Sequence, residues 1–370
     1  MHVLASAVVA SALAVVTPGA GPAPAGTALC DSRQVTITVT AVSGTVHGTP
    51  RSDVILVQPT SGTIGDPAPG PSPLAILAGA GNDSVCTSSA QVDVHGGNGD
   101  DTIVSTGGPQ PAGVPPLLEG GDGADRITGG AATEHLVGGP GADDLFGGPA
   151  GDDVLSGGGD SDYLTGSVTE HGSRFTAGHS TLVGGPGDDT LNSHRGVVRG
   201  GSGSDGLDVY GTTNAWLGPG HDDALDFAGS SRLPGHTVLR GGSGGDYFEV
   251  PGPLPTPTTF KGGPGHDTLR PGMRSGGPYT FDVPTGIASY PGRPRWFRFS
   301  GWEIVFGTRR SDIMIGGPEN DVFHGSRQAD VMRGGGGDDQ LYGDNGHDTA
   351  YGGPGTDTCL AEVRHGCEAH

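Results

Sequence analysis

From Gly307 onward an apolar or small side chain returns at every ninth position, as Met314, Phe323, Met332, Leu341, Ala350 and Cys359. The residues between are mostly polar or glycine, and six successive nonapeptides read GTRRSDIMI, GGPENDVFH, GSRQADVMR, GGGGDDQLY, GDNGHDTAY and GGPGTDTCL. One inward residue between outward neighbours predicts a short strand with a single buried face. The glycine-rich remainder of each unit predicts a turn. The same turn recurs upstream at wider intervals, starting at Ala78, Gly96, Gly120, Gly138, Gly147, Gly157, Gly184, Gly200, Leu217, Gly241 and Gly262, with a degenerate copy from Gly48. Short apolar runs precede it there, such as Val92-Asp93-Val94, His135-Leu136-Val137 and Thr181-Leu182-Val183. Each coil therefore reads as strand, aspartate turn, strand, variable turn. The predicted fold is all-β, a parallel β-solenoid whose coils stack about 4.8 Å apart. One edge is expected to carry nearly all the aspartate turns upstream, and both edges downstream of Gly307.

The turn carries the candidate chemistry. Glycines at positions 1, 2 and 4 of the unit can take positive φ and curl the backbone so that carbonyl oxygens converge. Position 6 adds a carboxylate. The candidate metal ligands are Asp83, Asp101, Asp125, Asp143, Asp153, Asp162, Asp189, Asp205, Asp222, Asp246, Asp267, Asp321, Asp330, Asp339, Asp348 and Asp357. Hard oxygens in flexible number suit Ca²⁺, which takes six to eight of them at about 2.3–2.6 Å. One turn cannot supply that many, whereas two stacked turns can. Several ions would also neutralise aspartates that otherwise repel at the coil spacing, so metal binding and folding are expected to be coupled. At position 4, Arg310, Glu319 and Gln328 replace glycine in the first three downstream units, which predicts distorted, weak or empty sites at Asp312, Asp321 and Asp330. Gly337, Gly346 and Gly355 keep the pattern, Asp160 replaces glycine at position 4 of its own turn, and Ala150 is an insertion.

Composition makes the metal more than decorative. Of 370 residues, 74 are glycine and only 33% are apolar. So little apolar area does not offset the backbone entropy of so much glycine. The formal charge of −22 argues against nucleic acid and anionic membrane surfaces as partners. An apolar run from Val3 to Val16, with Ala23-Pro24-Ala25 as a cleavage site and Ala28 as a second candidate, reads as a secretory signal peptide over 1–25. It is too short to span a bilayer, and no other segment is longer. Cys30, Cys86, Cys359 and Cys367 form an even set in an exported chain, which favours disulfides. Three pairings are possible, and sequence proximity suggests Cys30 with Cys86 and Cys359 with Cys367.

The unit GGxGxDxUx, where U is apolar, resembles that of the RTX, or haemolysin-type, calcium-binding repeat family. The resemblance covers nearly all of Cys30 to Gly366. It is nearest the stand-alone secreted forms of high-GC Gram-positive bacteria, on the strength of the ending GGPGTDTCLAEVRHGCE and of Lys261 being the sole lysine. It implies a right-handed parallel β-roll with Ca²⁺ held between neighbouring turns of one edge by the position-6 aspartates and glycine-turn carbonyls. The expected organisation is a signal peptide (1–25), capping strands with one degenerate repeat (26–77), a solenoid with one calcium turn per coil (78–270), a strand-rich aromatic insertion (271–306), and a tandem nonapeptide roll with a C-terminal disulfide (307–370).

Other signals are weaker. Gly241-Gly242-Ser243-Gly244-Gly245 matches a serine-hydrolase pattern, but Ser243 is position 3 of a calcium turn. His221, His266 and His347 share position 5 and should point outward. The insertion, with Phe281, Tyr290, Trp296, Phe297, Phe299 and Trp302, reads as a hairpin packing aromatics on the roll; the sharper alternative is a carbohydrate- or partner-binding patch. The function expected is therefore extracellular calcium binding by a non-enzymatic scaffold, with a surface or adhesive role and no identified protein or glycan partner. A β-helical enzyme acting on polysaccharide and a passive secretion or folding module are the alternatives.

Overall fold

A computed structural model describes residues 16–368 apart from 19–28, 31, 41–42, 59–73, 89–90, 109–113, 150, 167–168, 172–173, 177, 226–236, 251–257, 272–277 and 291–292. Every regular element among them is a strand, and none is a helix long and apolar enough to cross a membrane. The expected signal segment and Ala150 lie outside the described residues, except that Val16–Pro18 pairs antiparallel with Ile37–Val39. The chain is all-β, with its strands paired overwhelmingly in parallel, as a β-roll. It divides into two compact units, residues 1–158 with 167–178, and residues 159–166 with 179–370.

In the first unit the strands preceding the aspartate turns form one parallel sheet: Gly44–His47, Leu74–Ala80, Val92–Asn98, Leu117–Asp122 and His135–Pro140. The strands following the turns form the other: Val54–Val57, Ser84–Thr87, Thr102–Ser105, Arg126–Thr128 and Asp144–Phe146. Their inward residues stack in register. Val46, Ile76, Val94, Leu118 and Leu136 face inward from one sheet, Ile55, Val85, Ile103, Ile127 and Leu145 from the other, and all are buried. Most of the three-residue strands bury one apolar side chain and some of the longer ones two or three, such as Leu74, Ile76 and Ala78, so the core is built strand by strand and a short periodic signal suffices. Cys30 and Cys86 are bonded across this unit.

The second unit repeats the plan. Ser180–Pro186, Gly196–Ser202, Thr213–Gly220, Thr237–Gly244 and Thr258–Lys261 pair in parallel before their turns. Thr190–Ser193, Gly206–Val209, Asp223–Leu225, Tyr247–Val250 and Thr268–Pro271 do so after them. From Gly307 each nonapeptide is half a coil. Ile313–Ile315 pairs with Val331–Arg333, and Val322–His324 with Gln340–Tyr342, so stacked neighbours are 18 residues apart. The inward Met314, Phe323, Met332, Leu341, Ala350 and Cys359 are all buried. Cys359 and Cys367 are bonded at the end.

Between these runs the parallel order breaks. Thr280–Asp282, Ile287–Tyr290 and Arg293–Ser300 form an antiparallel meander. Its last strand pairs in parallel with Thr258–Lys261 and its first with Ile313–Ile315, so it splices the upstream coils to the downstream ones. Phe281, Phe297, Phe299 and Trp302 are buried in the unit's core. Edge-to-face contacts link Phe248 to Trp302 and Phe260 to Phe297 at centroid distances of 5.0 and 5.3 Å. These four rings are core and not exposed surface, and the side chain of Trp296 lies outside what is described.

Candidate metal centre

Each position-6 aspartate is held by the coil that precedes it. The Asp83 amide donates to Asp101 Oδ1 at 2.7 Å, the Asp101 amide to Asp125 Oδ1 at 2.7 Å, and the Asp125 amide to Asp143 Oδ1 at 2.7 Å. The second unit carries the same ladder through Asp162, Asp189, Asp205, Asp222, Asp246 and Asp267. It continues from Asp321 to Asp339 to Asp357 and from Asp312 to Asp330 to Asp348. All these side chains are at most 4% exposed. Glutamates end the ladders: Glu303 Oε2 accepts from the Asp267 amide and Glu362 Oε2 from the Asp348 amide, at 2.8 and 2.7 Å, and Glu368 accepts from the Asp357 amide.

The ladder uses one carboxylate oxygen and strands the other. Oδ2 is buried without a hydrogen-bond partner in Asp83, Asp101 and Asp125 of the first unit. The same holds for Asp189, Asp205, Asp222, Asp246, Asp267, Asp330, Asp339, Asp348 and Asp357 of the second. A buried acceptor left unsatisfied costs roughly 1–3 kcal/mol, and more when charged, so these twelve would cost at least ~12 kcal/mol. That rivals the ~5–15 kcal/mol by which a domain is stable. A proton or a cation must meet them.

The glycines show where a cation fits. In the turn from Gly96, Gly97 and Gly99 have φ of 118° and 124°, as positions 2 and 4 require, whereas Gly96 is not in the left-handed region. Position 1 is glycine for a different reason from the expected one. A Cβ on Gly96 would overlap both Asp101 Oδ2 and the carbonyl oxygen of Gly120 in the next coil. The stranded oxygen and a backbone carbonyl thus converge on the space a side chain would fill. The Gly97 and Gly99 carbonyls lie equally close to Gly121 and Gly123 one coil on. Among the described residues no three His, Cys, Asp or Glu side chains cluster as a metal site. Backbone oxygens would have to be most of the donor set, which suits a hard, high-coordination ion and not zinc.

Electrostatics agree. Burial pushes the Asp330 carboxyl up to about 8, against the lowering effect of the Asp312 amide, and the charges of Asp312, Asp348 and Asp344 add to the rise. Burial likewise raises Asp101 and Asp222 to about 7. It raises Asp83, Asp125, Asp205, Asp267 and Asp339 to about 6. Without a counter-ion these groups resist ionisation.

Some turns satisfy themselves. Thr308 donates its amide (2.5 Å) and hydroxyl (2.9 Å) to Asp312 Oδ2, the Gly317 amide donates to Asp321 Oδ2 at 2.7 Å, and the Thr49 amide to Asp53 Oδ2 at 2.6 Å. Position 4 of these turns is Arg310, Glu319 and Arg51. Gln328 differs: with Ser326 it takes the left-handed backbone, φ 70° and 75°, and Asp330 keeps its stranded oxygen. Asp160, at position 4 of its turn, takes the same left-handed backbone, φ 70°. Asp153 stands on the opposite edge from Asp143, because its turn leads from Asp144–Phe146 into Val154–Gly159. There it accepts the Glu134 amide at 2.8 Å. Glu134, fully buried, was not singled out by the sequence reading, although Gly129-Gly130 with an acid at position 6 is the same signature. Its oxygens take the Ser105 hydroxyl (2.6 Å) and the Gly130 amide (2.5 Å). His221, His266 and His347 are exposed, and so is Ser243, in register with Pro219.

The family model for the RTX calcium-binding nonapeptide repeat (4 copies) matches residues 93–109, 117–145, 137–168, 176–197, 299–332 and 324–359. No match to a curated protein is found.

Proposed function

Because the chain is an RTX-repeat protein built of calcium-binding nonapeptides, we propose that calcium is what folds it, and that the folded roll is a non-enzymatic scaffold working outside the cell. The stranded Oδ2 atoms carry this reading. Those of Asp101, Asp189, Asp205, Asp267, Asp330 and Asp357 face a gap that a carbonyl of the adjoining coil also lines, where a bound ion supplies the positive charge that the fold lacks. The ligands are the position-6 aspartates with a stranded oxygen, together with the glycine-turn carbonyls. Asp321 contributes less, having turned its second oxygen on its own turn. Two disulfides suit an oxidising compartment. Extracellular modules commonly bind calcium with Kd of about 10⁻⁴–10⁻³ M, so the chain stays open in calcium-poor cytosol and closes after export, through a signal peptide over 1–25. A rigid surface-attached or adhesive element is the role such a scaffold suits.

The test is far-UV circular dichroism of the chain without residues 1–25 during a calcium titration, with magnesium as control. A cooperative gain of β signal in calcium alone is expected. Equal order in excess chelator would refute the coupling.

A further inference from the structure

The outer face of the pre-turn sheet in the second unit carries a feature that calcium does not explain. Arg199, Trp216, Arg240 and Lys261 occupy one outward column, each in register with the next on consecutive parallel strands. Arg298 stands beside this column, in register with Thr259. Four of the chain's 19 Lys and Arg, including its sole lysine, thus gather on one face of a protein with 41 acidic residues. Arg199, Lys261 and Arg298 are exposed, and Trp216 is 43% exposed.

The column is unpaired. Among the described residues none of these four cations makes an ion pair with a carboxylate. The Arg240 guanidinium lies over the Trp216 ring at 4.6 Å, and its Nη1 is buried without a hydrogen-bond partner. In one other such stack the charge is neutralised: Arg126, over Phe146 at 4.6 Å, is bonded to Asp144 at 2.9 Å. A guanidinium fixed on an aromatic face and lacking a carboxylate partner keeps a full charge, held in one orientation, for an anion that reaches its accessible edge.

From these residues we infer that the Arg199–Trp216–Arg240–Lys261 column binds a linear polysaccharide bearing carboxylates. Strand spacing sets the ruler. Arg199 and Arg240 are two strands apart, about 9.6 Å, and Arg199 and Lys261 three, about 14 Å. The first distance is close to the rise of one disaccharide in an extended β-linked chain, so acids on alternate sugars meet Arg199 and Arg240, and Lys261, one strand further on, adds its charge beside Arg240. The row is one residue wide. A nucleic-acid duplex or an anionic membrane is broader, and would overlie the acidic turns along the edge of the same coils.

The inference depends on the calcium-bound fold but not on calcium as a bridge to the glycan. The full chain, saturated with calcium, is titrated into fluorescein-labelled hyaluronan octasaccharide at about 50 mM salt and read by anisotropy. Binding should weaken as salt rises. It should fall at least about tenfold in the Arg199→Glu, Lys261→Glu double variant and several-fold in Arg240→Ala, while Arg126→Ala binds as the parent does. A calcium titration of each variant by circular dichroism separates loss of this face from loss of the fold. If the double variant loses its calcium response, Lys261→Glu alone replaces it. Lack of binding by the parent, equal binding of neutral dextran or of single-stranded oligothymidylate, or undiminished binding by the charge-reversed variant overturns the inference.

Discussion

Asp339→Asn and Asp312→Asn remove the same charge from two turns of one repeat array, yet they should act on different quantities. Asparagine keeps an oxygen where Oδ1 accepts the amide of Asp321 in one case and of Tyr279 in the other, both at 2.8 Å. At Asp339 the second oxygen has no protein partner. It is the atom an ion needs, and the variant should bind at least one ion fewer. Stability gained from a ligand grows by about 1.4 kcal/mol per tenfold rise in concentration for each ion bound. A plot of unfolding free energy against the logarithm of free calcium should therefore lose about 1.4 kcal/mol per decade of slope in Asp339→Asn. At Asp312 the second oxygen already takes two bonds from Thr308. Losing hydrogen bonds to a charged group costs about 1.5–3 kcal/mol each. Asp312→Asn should lower the whole line without changing its slope. Urea unfolding at a series of buffered calcium concentrations gives both numbers. Equal slopes in the two variants would show that the stranded oxygen is not an ion ligand.

Three further outcomes are expected. In calcium-free solution the raised carboxyls make the folded chain bind more protons than the unfolded one between their ordinary value, 3.8, and about 6–8. Stability should fall as pH rises through that window, and calcium should reverse the trend; urea midpoints flat from pH 4 to 8 in the absence of calcium would contradict this. Gly120→Ala drives a Cβ into Asp125 and should cost at least ~2 kcal/mol and an ion, whereas Gly159→Ala meets nothing within 4 Å and should be nearly neutral; equal melting temperatures would refute the packing account. Replacing Cys30 and Cys86 together by serine opens a loop spanning a sequence separation of 56 and should lower stability by about 4 kcal/mol, measured by calorimetry in saturating calcium.

The fold was legible because the core is made of inward residues within single short strands: Met314, Phe323 and Leu341 announce their faces without help from distant sequence. The antiparallel splice at 280–300 was not legible in that way, since its aromatics pack against Phe248 and Phe260 of other coils and follow no local period. In the turns, glycine plus aspartate was visible, but half of the demand on Gly96 comes from a carbonyl 24 residues on, which no local pattern encodes. Position 4 was a coarse guide. Gln328 and Asp160 adopt the glycine-like backbone, while Arg310 and Glu319 let the carboxylate close on its own turn. Glu303, Glu362 and Glu368 end the ladders outside any glycine turn, reaching with a longer side chain to an amide that the next aspartate would have taken.

Anomalous diffraction from crystals grown in calcium and exchanged with a heavier lanthanide locates the ions directly. Peaks should form a row along the turn edge of each unit, each within coordination distance of a stranded aspartate oxygen and of carbonyls from the adjoining coil, with a second row at Asp330 and Asp348. Ordered coils whose buried aspartates have no peak beside them, or peaks scattered over the acidic surface, would contradict the account.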